Sequence, residues 1–139
     1  MLGDGDSGRR VRVLLDEFAA LPGGPFEAGY WVELMAVAAA LTDQPRRFAM
    51  LDVRDGPSRW LSAARLIAGE RYVEAADELS DIGGRPQEAL ARLLAARALI
   101  GAGDRPGGEA ELRRAVAFWT DVRATRLLAL AEELLARTA

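Results

Sequence analysis

The stretch Ala64–Gly84, ARLIAGERYVEAADELSDIGG, decides how this chain folds, because it lies in register with Ala96–Trp119, ARALIGAGDRPGGEAELRRAVAFW. Gly69 and Gly103 stand 34 residues apart, and Leu79 and Ile82 precede Leu112 and Ala115 by 33. Each copy reads as helix, glycine turn, helix. Tyr72, Ala75, Ala76, Leu79 and Ile82 recur at helical spacing and line one face. Glycine permits the tight reversal, and the small alanines let paired helices approach closely. One such hairpin cannot bury its apolar face alone, so units of this length are expected to stack.

Outward from this pair, the rest of the chain also reads as helix and turn. Residues 1–8, mostly Gly, Asp and Ser, are expected to be disordered. A helix from about Arg9 to Leu21 carries Val11, Leu14, Leu15, Phe18 and Leu21 as one stripe. Pro22-Gly23-Gly24-Pro25 ends it, and a second helix, about Phe26–Leu41, is apolar nearly all round from Leu34 onward and is expected to be central. Gln44-Pro45 opens a short helix with Phe48 and Leu51, which Asp55-Gly56-Pro57 closes, and Ser58 is placed to cap the next. Further helices are expected at about Ser58–Ala68, Glu70–Ile82, Pro86–Ala102, Glu109–Trp119 and Val122–Arg137, the last capped by Thr120 or Asp121. Gly83 supplies a left-handed position, and Gly103–Gly108 reads as a turn.

The expected fold is therefore all-α, with about seven or eight helices in a right-handed stack of antiparallel hairpins. Residues 9–138 form one domain, with irregular helices over 9–57 and repeats plus a C-terminal capping helix over 58–138.

Composition supports this and excludes several kinds of chemistry. The chain has 139 residues, half of them hydrophobic and 6% aromatic. It lacks Cys, His, Lys and Asn, and all 18 basic residues are Arg. Without Cys or His there is no disulfide, thiol nucleophile, imidazole base or structural zinc site. Abundant Ala, Leu, Arg and Glu are helix formers, and few β-branched residues leave little for strands. The absence of Lys reads as a GC-rich coding bias. A net charge of −3 argues against a nucleic-acid partner. No stretch is long enough to span a membrane, and MLGDGDSGRR has no apolar signal region, so a cytoplasmic protein is expected.

The repeat resembles degenerate tetratricopeptide repeats. Gly69-Glu70-Arg71-Tyr72 followed by Ala75 is similar to the family pattern, and Gly103-Asp104-Arg105 begins a second copy with Gly108 where that pattern has Ala. The resemblance covers about residues 58–138 and implies a right-handed α-solenoid whose first helices line a concave groove. The run from Gly84 to Ala136 also looks like the extreme C-terminal end of large actinobacterial multidomain signalling proteins of the cyclase, ATPase and transcriptional-regulator type. It does so through Glu88-Ala89-Leu90-Ala91-Arg92, Phe118-Trp119, Ala124-Thr125-Arg126 and Glu133-Leu134-Leu135-Ala136. That resemblance carries no catalytic motif and implies a regulatory interaction tail.

Candidate chemistry is weighed against plainer readings. Gly3-Asp4-Gly5-Asp6-Ser7-Gly8 spells a phosphate-loop pattern but has no strand before it. Glu70, Glu74, Asp77, Glu78 and Asp81 form an acidic stripe that reads as the solvated face of a helix. Arg65 and Arg97, 32 apart on first helices, are placed to clamp an acidic peptide. Arg92 is a further candidate, although Glu88 four residues earlier suggests an ordinary helix-surface pair. Trp119, beside Phe118, reads either as a partner contact or as packing under the last helix.

The sequence thus points to a non-catalytic, regulatory protein-interaction or scaffolding module. It implies a protein or peptide partner, no metal and no cofactor, and self-association through end-to-end packing of repeats. The alternative is a small helical ligand sensor or enzyme built on an Arg and carboxylate pocket.

Overall fold

The structure is a computed structural model that describes residues 5–20, 32–51 and 58–136. The described residues form eight helices and no strand. These are α1 (Gly5–Ala19), α2 (Val32–Leu41), α3 (Pro45–Ala49), α4 (Arg59–Ala68), α5 (Tyr72–Asp81), α6 (Arg85–Gly101), α7 (Arg105–Asp121) and α8 (Thr125–Ala136). The expectations for residues 1–4, for the Pro22–Pro25 break with the helix start at Phe26, for the Asp55–Pro57 turn and for 137–138 lie outside the described residues. No helix among those described is long and apolar enough to cross a membrane.

Three helix boundaries differ from the sequence reading, each for a local reason. Residues 5–8 were expected to be disordered, yet α1 begins at Gly5. Asp6 in its first turn suits the positive helix end, and the Gln44 side chain donates to the Gly8 carbonyl at 2.9 Å. The run Arg105–Gly108 was expected to be turn but forms the first turn of α7. Asp104 caps it by accepting from the Gly107 amide at 3.0 Å, and Pro106 suits a first helical turn. Thr120 and Asp121 do not cap α8. They belong to α7, and the Thr120 hydroxyl donates back to the Val116 carbonyl at 2.8 Å. Ser58 caps α4 as expected, its hydroxyl oxygen accepting from the Leu61 amide at 3.4 Å.

One turn geometry recurs five times. After α2, α4, α5, α6 and α7 the backbone passes through a left-handed residue, respectively Asp43, Glu70, Gly83, Gly103 and Arg123. In each case the following amide bonds the carbonyl five residues back: Gln44 to Ala39, Arg71 to Leu66, Gly84 to Leu79, Asp104 to Leu99 and Ala124 to Trp119, at 2.7–2.9 Å. This pair of features is a Schellman closure, which satisfies carbonyls that a helix end leaves open. The next helix then starts two residues after the left-handed one. Such short connections set successive helices side by side and antiparallel.

The turns also explain the sequence period. Glu70 to Gly103 is 33 residues, whereas Gly83 to Arg123 is 40. Helix α5 has 10 residues and α7 has 17. Seven residues are close to two full turns, so the longer helix keeps the same face inward. Leu79 and Leu112, each the eighth residue of its helix, are both buried, and so is Trp119, which stands where Leu79 does relative to the closing turn.

Packing follows chain order from α4 through α8, while α2 packs against α1, α3, α4 and α6. Helix α2 is central, as its composition implies, with Val32, Ala36, Val37, Ala39 and Ala40 all buried. One apolar cluster gathers α2, α4, α5 and part of α6, and a second joins α6, α7 and α8 around Leu93, Leu112 and Trp119. Leu41 and Leu90 pack against both.

Helices α6 and α7 approach closely at Gly108. A Cβ there would lie 2.5 Å from Ile100 Cγ1 and 2.9 Å from the Ala96 carbonyl oxygen. The position where the repeat pattern has Ala therefore needs Gly. Alanine gains about 1 kcal/mol over glycine in a helix interior, but overpacking typically costs about 1–3 kcal/mol. Gly108→Ala is thus expected to lower unfolding stability by about 1 kcal/mol net, measured by urea titration. Gly101, at the end of α6, has open space around its Cβ position, and Gly101→Ala is expected to raise stability by a few tenths of a kcal/mol.

Candidate functional site

The densest polar arrangement lies between α5, α6 and α7. Ala89, Leu93 and Ala96 turn α6 toward α7 and α8, while Ala91 and Leu94 face the other core. Arg92 falls between these faces, and its side chain is only 3% exposed. Its guanidinium donates to Glu111 Oε2 at 2.8 Å, to Asp77 Oδ1 at 2.8 Å and to Glu88 Oε1 at 3.2 Å. One carboxylate comes from each of three consecutive helices. Burial works against the Arg92 charge, but the hydrogen bonds to Asp77 and Glu111 more than offset it, so the guanidinium holds its proton more firmly than usual.

The sequence-derived site residues do not converge. Arg92 and Trp119 are buried, so neither offers its side chain to a partner. Trp119 fills the core between α7 and α8, which resolves the choice between contact and packing in favour of packing. Arg97 pairs with Asp43 in the α2–α3 turn at 2.6 Å, on a half-exposed surface. Tyr72 lies close by. Burial first, and then Glu70, push its phenol up, with Arg97 pulling the other way. Arg65 is exposed on α4 and lines an open groove with Phe48, Leu51, Leu61 and Gly69.

The acidic stripe of α5 is largely matched by arginines. Arg59 reaches Glu78 at 2.7 Å and Asp81 at 3.6 Å, Arg71 pairs with Glu74, and Arg92 takes Asp77. Hydrogen bonds from these arginines hold the Glu74 and Glu78 carboxyls below the usual range. This fits the solvated helix face read from the sequence. Among the described residues no group of three or more acidic side chains is arranged to hold a metal.

Three polar features escaped the sequence reading. Arg85, at the start of α6, and Arg114, midway along α7, line a second groove with Ser80, Glu88, Ala89, Arg92, Ala117 and Phe118. Their proximity depends on the α6–α7 register, which was hidden while Arg105–Gly108 read as turn. The third is Glu33, fully buried on α2, with neither carboxylate oxygen hydrogen-bonded among the described residues. Its signal was visible as a lone acid within Trp31-Val32-Glu33-Leu34-Met35.

Burial pushes the Glu33 carboxyl above its ordinary value of 4.5, and its own amide, Gln87 and the amide of Leu34, which lie near it without reaching full hydrogen-bond geometry, oppose this only in part. Between the unfolded and the raised folded value, the native state keeps a proton that the unfolded chain releases. Stability is greatest below pH 4.5 on this account and is lost as pH rises through the folded value. Glu33→Gln is expected to remove that decline and to leave the chain at least as stable at pH 7, measured by urea unfolding between pH 4 and 8.

No protein-family model, curated protein or solved structure matches this chain.

Proposed function

We propose that this chain is a non-catalytic protein-interaction module, a tetratricopeptide-like right-handed stack of helical hairpins that acts as a regulatory scaffold in the cytoplasm. The observation that carries this reading is the recurrence of one closing turn at five helix ends, with successive helices packed side by side. Repetition of one supersecondary unit is the hallmark of arrays that present extended surfaces to other chains. The resemblance of residues 84–136 to signalling-protein tails points the same way.

A ligand sensor or enzyme would need an open pocket of uncommitted charges. The Arg92 cluster is the densest such group, and its guanidinium is already bound by three carboxylates and buried. The grooves are open and shallow and combine apolar floors with arginine rims, which suits a peptide or helix better than a small substrate.

Reversing Arg65 and Arg97 together tests the first-helix surface. The tagged wild-type chain, expressed in its own host, is expected to recover a defined partner set by quantitative mass spectrometry. The Arg65→Glu, Arg97→Glu variant should lose at least ~10-fold of it while keeping the helical circular-dichroism signal. Undiminished recovery would exclude this surface.

A further inference from the structure

We propose that the groove between α5, α6 and α7 receives an acidic peptide segment whose carboxylates are taken by Arg85 and Arg114. The proposal rests on the interaction-module reading and names the partner's chemistry. The open groove offers about 480 Å³, far more than a single carboxylate needs. Ala89 is buried at its base, with the exposed Ala117 and the half-buried Phe118 ring alongside, so side-chain methylenes can pack there.

Its charge is unbalanced in a specific way. Glu88 and Arg92 line the groove beside Arg85 and Arg114, and Glu88, like Glu111 and Asp77, is committed to Arg92 at 2.8–3.2 Å. Among the described residues Arg114 reaches only the Glu111 carboxylate, at 4.0 Å, and the other oxygen of that group already holds Arg92. Arg85 has no carboxylate partner among the described residues. Its guanidinium instead lies 5.9 Å from the centre of the Phe118 ring, a cation–π contact that holds it at the groove's edge. Arg85 also opens α6, and a cation at a helix N-terminus opposes the macrodipole. The two positive charges and that helix end together favour an anion at this rim. The Ser80 hydroxyl, exposed on the α5 side, adds a donor for a peptide carbonyl or carboxylate. Guanidinium groups suit carboxylates through paired parallel hydrogen bonds.

The test uses the full chain in two assays. In the first, a fluorescein-labelled peptide of alternating Glu and Ala is titrated with wild type, with Arg85→Glu, Arg114→Glu, and with Arg9→Glu, Arg12→Glu as a charge-matched control. Wild type and control are expected to bind alike and to weaken with added salt. The groove variant should bind at least ~10-fold more weakly, and Arg85→Gln, Arg114→Gln should follow it if charge reversal disturbs folding. Equal loss in the control would overturn the proposal by showing a generic charge effect.

In the second assay, wild type selects from a random displayed dodecapeptide library. Enrichment of acidic sequences that the groove variants fail to retain supports the proposal. Enrichment of non-acidic sequences overturns it while leaving the interaction-module reading in place. Enrichment of nothing overturns both.

Discussion

The packing of α5, α6 and α7 depends on Arg92. A buried guanidinium carries a desolvation cost of several kcal/mol, and three carboxylates from three helices offset it. The geometry is met only when α5 and α7 sit in one register against α6, because slipping either by a turn moves Asp77 or Glu111 about 5.4 Å from Arg92, whereas Glu88 shares α6 with the guanidinium. Apolar contacts among alanines and leucines are far less selective, and this chain has many of them. The Arg92 cluster therefore fixes which of several greasy packings is adopted. Glu88 and Glu111 are 17% and 14% exposed, so the cluster is shielded on two sides, with Asp77 at its wet edge.

Close approach of the helices complements this polar lock. Gly108 admits α6 against α7, and alanines line the facing surfaces of α2, α4 and α5. The recurrent Schellman turn then delivers each helix to the next with a three-residue connection. Two of the five left-handed positions are glycine, whereas Asp43, Glu70 and Arg123 adopt the same backbone despite the steric penalty of a Cβ. The geometry persists there because packing on both sides demands it. On the described surface Arg47, Arg59, Arg71, Arg97 and Arg105 each pair with a carboxylate.

Much of this was legible in the sequence. Helical spacing of Tyr72, Ala76 and Leu79, the glycines at 83 and 103, and Pro86 located the helices of the second half, and the all-apolar run after Leu34 marked α2 as central. The site was far less legible. Arg92 looked like a surface residue because Glu88 is its local partner, while its burial comes from Asp77 and Glu111, 15 and 19 residues away. Trp119 was ambiguous because adjacent aromatics must point apart, and only the position of α8 decides which one is buried. The Gly103–Gly108 run looked like turn because its glycines and proline are individually poor helix residues. A side-chain cap from Asp104 and the tight seat of Gly108 against α6 override that preference. Arg85 and Arg114 were invisible as a pair until the α6–α7 register was known.

The claim that one buried guanidinium fixes the helix register is tested most directly by a double-mutant cycle on Arg92 and Glu111, read by urea unfolding. Arg97 and Asp43, paired on a half-exposed surface, serve as the reference cycle. The account predicts a coupling of about 2 kcal/mol or more for the buried pair and under about 1 kcal/mol for the exposed one. Equal, small couplings in both cycles would contradict it.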